Sequence, residues 1–313
     1  MTEMSRQTPM PITFDCWRLG PVVGLAMGHE VRLACHLDDV SVRVALKRTM
    51  PGSSSLVRES MQRERLALSL VDSEHVVSMV GSGVHREQMW NATEWIDGVD
   101  LLTLLKLGPL EPIHSCTIIA AIARALVDCH AVDVLHGDLG PTNILVGLNG
   151  RVILIDFGLS DCLGAPSRPP GSGTPAYLDP EVAQGEKRRP CSDIYSLGLL
   201  WARALLGRAP QKAASKNPAQ LTPSQHQVAL ERAGQYGGLI DACLDIRATH
   251  RPTADELLAA LPMSTHHDIA RRANELWRPP QHSLLPVAAE DRLEALTDPA
   301  GETVTAHQKG GAL

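Results

Sequence analysis

The sequence predicts an α+β protein of two unequal lobes, a small β-rich one followed by a larger helical one, joined near residue 95. Three observations predict it. Short β-leaning runs separated by turn residues crowd the first hundred positions, and helical patterns dominate after Asp97-Gly98. The 313 residues, 44% hydrophobic and 20% charged, supply a core large enough for two lobes sharing one site.

The elements follow in order. Trp17–Val23, Val31–His36 and Val40–Lys47 read as strands; in the third, Val42, Val44 and Leu46 alternate with Arg43, Ala45 and Lys47, giving two distinct faces. Pro51-Gly-Ser-Ser-Ser breaks the pattern and offers an N-cap for a helix over Leu56–Val71, where Met61, Leu68 and Val71 fall near a 3.6 period. Val76–Val80 and Met89–Ile96 read as two more strands. Ile113–His130, Asp193–Leu206 and Ala254–Leu261 are helical patterns. Residues 1–14 read as an N-terminal extension and 263–313 as a partly disordered tail, with a short helix over Asp268–Trp277.

Composition excludes several classes. With 29 Lys and Arg against 35 Asp and Glu, the net charge of −6 argues against a nucleic-acid partner held by bulk charge. No apolar run reaches the ~18–20 residues of a membrane span, the best being Thr117–Ala123, and the N-terminus shows no secretory pattern. The seven cysteines are scattered, odd in number and without a CxxC, so a cytoplasmic, reducing environment is expected rather than a disulfide framework or a zinc site.

The chemistry concentrates in His136-Gly-Asp-Leu-Gly-Pro-Thr-Asn143 and, beyond a hairpin with an Asn149-Gly150 turn, Asp156-Phe157-Gly158. Two carboxylates and an amide are thus presented on loops at the ends of paired strands. Oxygen donors of this type suit Mg²⁺, and a carboxylate nearby can orient a hydroxyl nucleophile. These segments resemble the catalytic and metal-binding loops of the eukaryotic-type (Hanks-type) serine/threonine protein kinases, in a bacterial form. The resemblance runs over residues 15–262, which divide into an N-lobe, 15–95, and a C-lobe, 96–262.

The resemblance implies an ATP-dependent kinase using Mg²⁺. Lys47, in Val44-Ala-Leu-Lys47, would hold the α- and β-phosphates and be positioned by Glu64; Asn143 and Asp156 would hold metal; Asp138 would accept the substrate proton. Thr174, in Gly173-Thr-Pro, would bond Asp138 and shape the groove for a Ser/Thr substrate. Val31, Ala45 and Leu145 would sandwich the adenine, with Thr93 as gatekeeper and the backbone of Glu94 and Ile96 as its hydrogen-bonding edge, and Val23 and Gly24 would also bind the nucleotide. Phe157, His136, Leu68 and Met79 would stack as a spine, Ser192-Asp193 would begin the helix that anchors the catalytic loop, and Arg251 would pair with Glu181.

The chain departs from the family pattern at four places that bear on chemistry. Ala26 and His29 replace the second and third glycines of the phosphate loop, with Gly28 one residue early. Gly140 replaces the lysine that touches the transferring phosphate, and Gly137 replaces the arginine that receives a phosphorylated activation segment. Activation-loop phosphorylation is therefore not expected to be the main switch. The departures motivate an alternative reading as a pseudokinase, a nucleotide-binding scaffold or regulator. Against it stand Lys47, Glu64, Asp138, Asn143 and Asp156, all retained. Alone, Lys47 and Glu64 would read as a surface ion pair, and His29 reads as a solvated loop residue. Thr297, Thr303 and Thr305 are candidate phosphorylation sites in the tail. The expected partners are a protein substrate and a regulatory protein that supplies the signal.

Overall fold

The computed structural model describes residues 12–26, 28–168, 171–210, 220–262, 267–280 and 285–286. The expected extension is described only from residue 12, and Thr297, Thr303, Thr305 and the end of the tail lie outside the described residues.

The first lobe is an antiparallel sheet wrapped on one helix. Its strands are β1 (Trp17–Ala26), β2 (His29–His36), β3 (Arg43–Thr49), then, after helix α1 (Ser55–Leu70), β4 (Met79–His85) and β5 (Gln88–Glu94). The spatial order is β4-β5-β3-β2-β1, with a two-residue strand from the tail on the far edge of β1. Trp17, Leu19, Ala34, Val44, Leu46, Trp90 and Ala92 form its core. Phe14, which the sequence assigned to the extension, is buried in that core and stacks on His85 with ring centroids 4.6 Å apart.

Two strands differ from expectation. The third starts at Arg43, not Val40, because Asp39 accepts from the N–H and hydroxyl of Ser41 (3.0 and 2.6 Å) and folds that stretch into a turn. The fourth starts at Met79. Val76 and Val77 instead pair with Leu154 of the second lobe, Val77 N–H donating to its carbonyl at 3.0 Å. An apolar run over 76–80 does not say which lobe it joins.

After the connector, β6 (Gly98–Asp100) and α2 (Leu101–Leu104) lead to α3 (Pro112–His130). Then come the hairpin β7 (Ile144–Gly147) and β8 (Val152–Leu154), α4 (Pro180–Ala183), α5 (Pro190–Leu206), α6 (Pro223–Ala233), α7 (Gly237–Cys243), α8 (Ala254–Ala260) and α9 (His267–Leu276), with β9 (Leu285–Pro286) closing the edge of the first sheet. Gly150, at φ +85°, makes the predicted turn between β7 and β8. The main core gathers α3, α5, α7 and α8 around β7 and β8.

The absence of an apolar run long enough for a membrane needs correcting. Taken as a helix, Pro112–His130 is long and apolar enough by length and composition, because Arg124 and Asp128 are only two charges in the window. Most of it is buried among the helices of this lobe, and Trp201 of α5 donates to Ser115 inside that packing at 3.0 Å. That is the environment of a core helix.

Candidate active site

The seam between the lobes is a cleft of about 610 Å³. Strand register explains its upper wall. Val31 pairs with Lys47 and Lys47 with Asn91, while Ala45 pairs with Thr93. Period two then places Ala45 and Lys47 on one face, beside Thr93 and Asn91. All of these line the cleft, as do Val23 and Gly24 of β1. Leu145 of β7 forms the floor, and Glu94 and Ile96 the edge at the connector. The Glu94 N–H donates to Ser78 O at 2.9 Å, and Trp95 N–H to Arg43 O at 3.1 Å.

At the inner end, Lys47 Nζ donates to Glu64 Oε1 at 2.9 Å and Asp156 Oδ1 at 3.1 Å. Helical spacing on α1 carries Met61, Glu64 and Leu68 to the same buried side. Asn91 donates to the other Glu64 oxygen at 2.9 Å and to Met61 O at 3.1 Å, fixing the carboxylate from the strand side. Burial opposes the charge on Lys47, yet the two carboxylates outweigh it and hold its pKa above the ordinary value. The Lys47 charge in turn pulls the Asp156 carboxyl down to about 2 against the effect of burial, with hydrogen bonds from Lys47 and the Gly158 N–H assisting. Asp156 sits at φ +62°, an uncommon conformation for a residue with a side chain.

The catalytic segment is anchored from beneath. Asp193, in the first turn of α5, accepts the N–H of His136 (3.0 Å), the N–H of Gly137 (2.9 Å) and the ring of His130 (3.1 Å). Burial raises its pKa, but the His130 hydrogen bond, the nearby histidines and the Gly137 N–H hold the carboxyl below its usual value. The Asp138 N–H donates to His136 Nδ1 (3.2 Å), which leaves the proton on Nε2 to bond Ile155 O at 3.1 Å. His136 and Phe157 meet edge to face, centroids 4.7 Å apart, and Phe157 shares an apolar cluster with Leu68 and Met79.

Asn143 Nδ2 donates to the backbone oxygen of Asp138 (2.8 Å) and to its Oδ2 (3.2 Å). The other carboxylate oxygen, Oδ1, accepts both the N–H and the hydroxyl of Thr174 at 2.7 Å each. Thr174 is exposed and Asp138 half-buried, and both line a small pocket with Gly137, Leu139 and Tyr177. Asn143 and Asp156 present hard oxygen donors, the chemistry Mg²⁺ selects. Among the described residues no group of three His, Cys, Asp or Glu is placed to hold a metal by itself.

His29 is a correction. His29 opens β2, paired with Ala26 and following Gly28 at φ +88°, and it lines the cleft. Burial, then the Lys47 charge, lowers its pKa. Cys162 gains nothing toward reactivity, since burial and Asp161 push its thiol up.

Other residues of the site gave no warning in the sequence. Arg43 and Asp97 form a two-pronged ion pair across the connector (2.9 and 2.5 Å), and Trp95 Nε1 donates to the same carboxylate at 2.9 Å. Asn91 looks like any polar residue in a strand. Asp179, by contrast, is marked in the sequence by standing where the family carries alanine; it caps α4 through the Val182 N–H (3.0 Å) and lies 3.4 Å from Arg251, which also grips Glu181 at 2.9 Å.

A small sheet closes over a helical lobe, with a lysine–carboxylate node in the cleft between them and an aspartate held by Asn143 and Thr174 in the second lobe. Residues 23–261 match the protein kinase domain family, and the chain belongs to it. It is similar to the serine/threonine-protein kinase PkaA of Streptomyces coelicolor (31% identical, covering 72% of this chain and 42% of that one). It is also similar to the serine/threonine-protein kinases PknD of Mycobacterium tuberculosis (32%, 60% and 31%) and pkn2 of Myxococcus xanthus (31%, 65% and 27%). The chain thus spans less than half the length of these curated relatives.

Proposed function

We propose that this chain is an ATP-dependent kinase that phosphorylates Ser or Thr of protein substrates. The observation that carries the reading is Asp138, half-buried and bonded on one side by Asn143 and on the other by the exposed Thr174. ATP would lie with its adenine between Val31 and Ala45 above and Leu145 below, against the Glu94 carbonyl and the Ile96 N–H, past Thr93. Val23 and Gly24 would cover the ribose and phosphates. Lys47, aligned by Glu64, would bind the α- and β-phosphates. Asn143 and Asp156 would hold Mg²⁺, which supplies positive charge to the phosphate oxygens when bound. Asp138 accepts the substrate hydroxyl's proton while that oxygen bonds to the γ-phosphorus and the β–γ bridge breaks.

Seven free cysteines fit a reducing compartment, so we place the chain in the cytoplasm with a separate regulatory protein as partner. The kinase domain is taken as 15–262, flanked by the extension and tail. The scaffold reading has less support: it gives no reason to keep both the Lys47–Glu64–Asp156 set and the Asn143–Asp138–Thr174 set of hydrogen bonds.

Incubating the purified chain with Mg-ATP and a generic basic protein, beside Asp138→Asn, tests this. Phospho-Ser or phospho-Thr present with wild type and absent with the variant is expected. Clear ATP binding with no transfer would favour the scaffold.

A further inference from the structure

Gly137 stands where the family's arginine is missing, and the space it vacates is filled from elsewhere in the chain. Gly137 adopts φ +76°, and a Cβ there would run into the guanidinium of Arg188, with Cζ 2.8 Å away. Gly173, at φ +131°, lines the other side: a Cβ on it would sit 2.8 Å from Arg188 Nη2. Two glycines with left-handed backbone therefore form a slot for one arginine, which only glycine permits without strain.

Arg188 is itself buried, 9% exposed, and lies in the loop just before α5. Its Nη1 donates to Leu159 O at 3.2 Å and its Nη2 to Ser172 O. Leu159 immediately follows Asp156-Phe157-Gly158, and Ser172 lies two residues before Thr174. One planar fork thus joins the start of the activation segment to its end. Two residues on, Thr174 delivers its two hydrogen bonds to Asp138. The same helix start carries Asp193, which holds the backbone of His136 and Gly137. Catalytic loop and activation segment are therefore pinned to a single rigid point.

Neighbouring arginines are used in the same way. Arg63 of α1 donates to Gly158 O (2.9 Å) and Ser167 O (3.2 Å), and Arg168 donates to Leu159 O (3.1 Å) while pairing with Asp161. These cations hold backbone carbonyls of the segment. Charge-assisted hydrogen bonds made at buried sites are stronger than neutral ones.

We infer that Arg188, seated in the slot between Gly137 and Gly173, is a positioning residue that locks the activation segment onto the catalytic loop, so that Thr174 and Asp138 are aligned with no phosphate on the segment. The inference rests on the kinase reading for its rate effect, but its structural half stands apart.

The experiment compares phosphatase-treated wild type, Arg188→Met, Arg188→Lys and Gly137→Ala by steady-state phosphorylation of a basic protein and by amide hydrogen exchange over residues 159–176. Expected for Arg188→Met is a kcat lower by about tenfold or more with KM for ATP within about twofold, the split that marks loss of alignment rather than of nucleotide binding. Faster exchange is expected for 171–176, with α5 unchanged. Arg188→Lys, which keeps charge but not the fork, should recover part of the loss. Gly137→Ala, which closes the slot, should resemble Arg188→Met, and the double variant should be little worse than either single one. If Arg188→Met is too unstable to assay, Arg188→Lys carries the test through the same kcat and exchange readouts. Unchanged kcat and unchanged exchange in 171–176 would overturn the inference, as would equal losses in kcat and ATP binding. If wild type transfers no phosphate at all, the kinase reading fails, while the exchange measurement still decides whether Arg188 is the lock.

Discussion

Thr174 directs both its amide N–H and its hydroxyl at one oxygen of Asp138, each at 2.7 Å. The activation segment thereby reports its position straight to this aspartate. Asn143 occupies the other oxygen at 3.2 Å, so the carboxylate cannot rotate freely.

Substitutions at this pair should separate chemistry from nucleotide binding. Asp138→Asn removes the proton acceptor, and a loss in kcat of about 10²–10⁴ is expected with ATP affinity unchanged. Thr174→Val keeps the N–H bond and loses the hydroxyl bond, so an intermediate loss is expected, while Thr174→Ser should remain close to wild type. Single-turnover transfer and nucleotide titration on the same preparations check both. A Thr174→Val variant as inactive as Asp138→Asn would show that the hydroxyl does more than hold the carboxylate.

The Lys47–Asp156 pair predicts an acid limb in stability. Lys47 holds the Asp156 carboxyl at about 2, below the ~3.9 of an unfolded chain. A depressed carboxyl pKa stabilises the fold above the unfolded value and ceases to do so as pH falls through the folded one. Removing the charge by Asp156→Asn should therefore cost stability at pH 6 and progressively less between about pH 4 and 2. Denaturant midpoints of the two proteins across that range give the answer, and a difference that does not shrink on acidification would contradict the pairing.

Arg251 is the structural counterpart. Its side chain is fully buried, against Asp179 at 3.4 Å, Glu181 at 2.9 Å and the ring of Tyr195 at 4.7 Å. Burial raises the Asp179 pKa, with Glu181 adding to it and hydrogen bonds from Ser192 and the Val182 N–H opposing it, while Arg251 helps hold the Glu181 carboxyl below its usual value. Arg251→Met leaves two carboxylates without their cation, and a loss of about 3–5 kcal/mol in unfolding free energy is expected. Arg251→Met with Asp179→Ala restores the family's residue and should recover part of it.

Much of this site was legible in the sequence, and the failures have physical causes. Period-two alternation put Ala45 and Lys47 on one strand face, and register did the rest by bringing Thr93 and Asn91 beside them. The spacing of Met61 and Leu68 picked the buried side of α1, where Glu64 also lies. Helix α6 was missed although Thr222-Pro-Ser-Gln225 carries a capping box with proline at the first helical position. Its signal was local and its apolar pattern weak. Arg188 and Asp97 were invisible for another reason: their partners, Leu159, Ser172 and Arg43, are distant in the chain, and three of the contacts are to backbone or across lobes. His29 was misjudged because a loop residue's exposure depends on which way a hairpin turns.

Phosphorylation of the activation segment should matter little. Arg63, Arg168 and Arg188 are already engaged with segment carbonyls, so no free cluster of these cations is waiting for a phosphate. Ser167→Ala and Ser172→Ala are expected to retain kcat within about twofold of wild type, before and after phosphatase treatment. A tenfold fall on dephosphorylation, restored by rephosphorylation at Ser167 or Ser172, would count against this.

Gly140 offers the sharpest test of how the site handles charge. The family's lysine at this place touches the transferring phosphate, and one transition-state donor of that kind is worth about 10²–10³ in rate. The backbone here is extended, φ −159°, which any residue adopts. A Cβ would meet only the edge of the Tyr177 ring, at 3.6 and 3.7 Å, an ordinary contact. Gly140→Lys should therefore fold normally. If nothing else supplies the missing charge, kcat should rise by about tenfold or more with KM for ATP little changed. If kcat stays level, a cation already reaches the γ-phosphate, and His29 is the first side chain to examine, because it lines the cleft beside Lys47. In that case His29→Gly should lower kcat most at pH below the imidazole's titration, where the protonated ring carries the charge, and Gly140→Lys should rescue it.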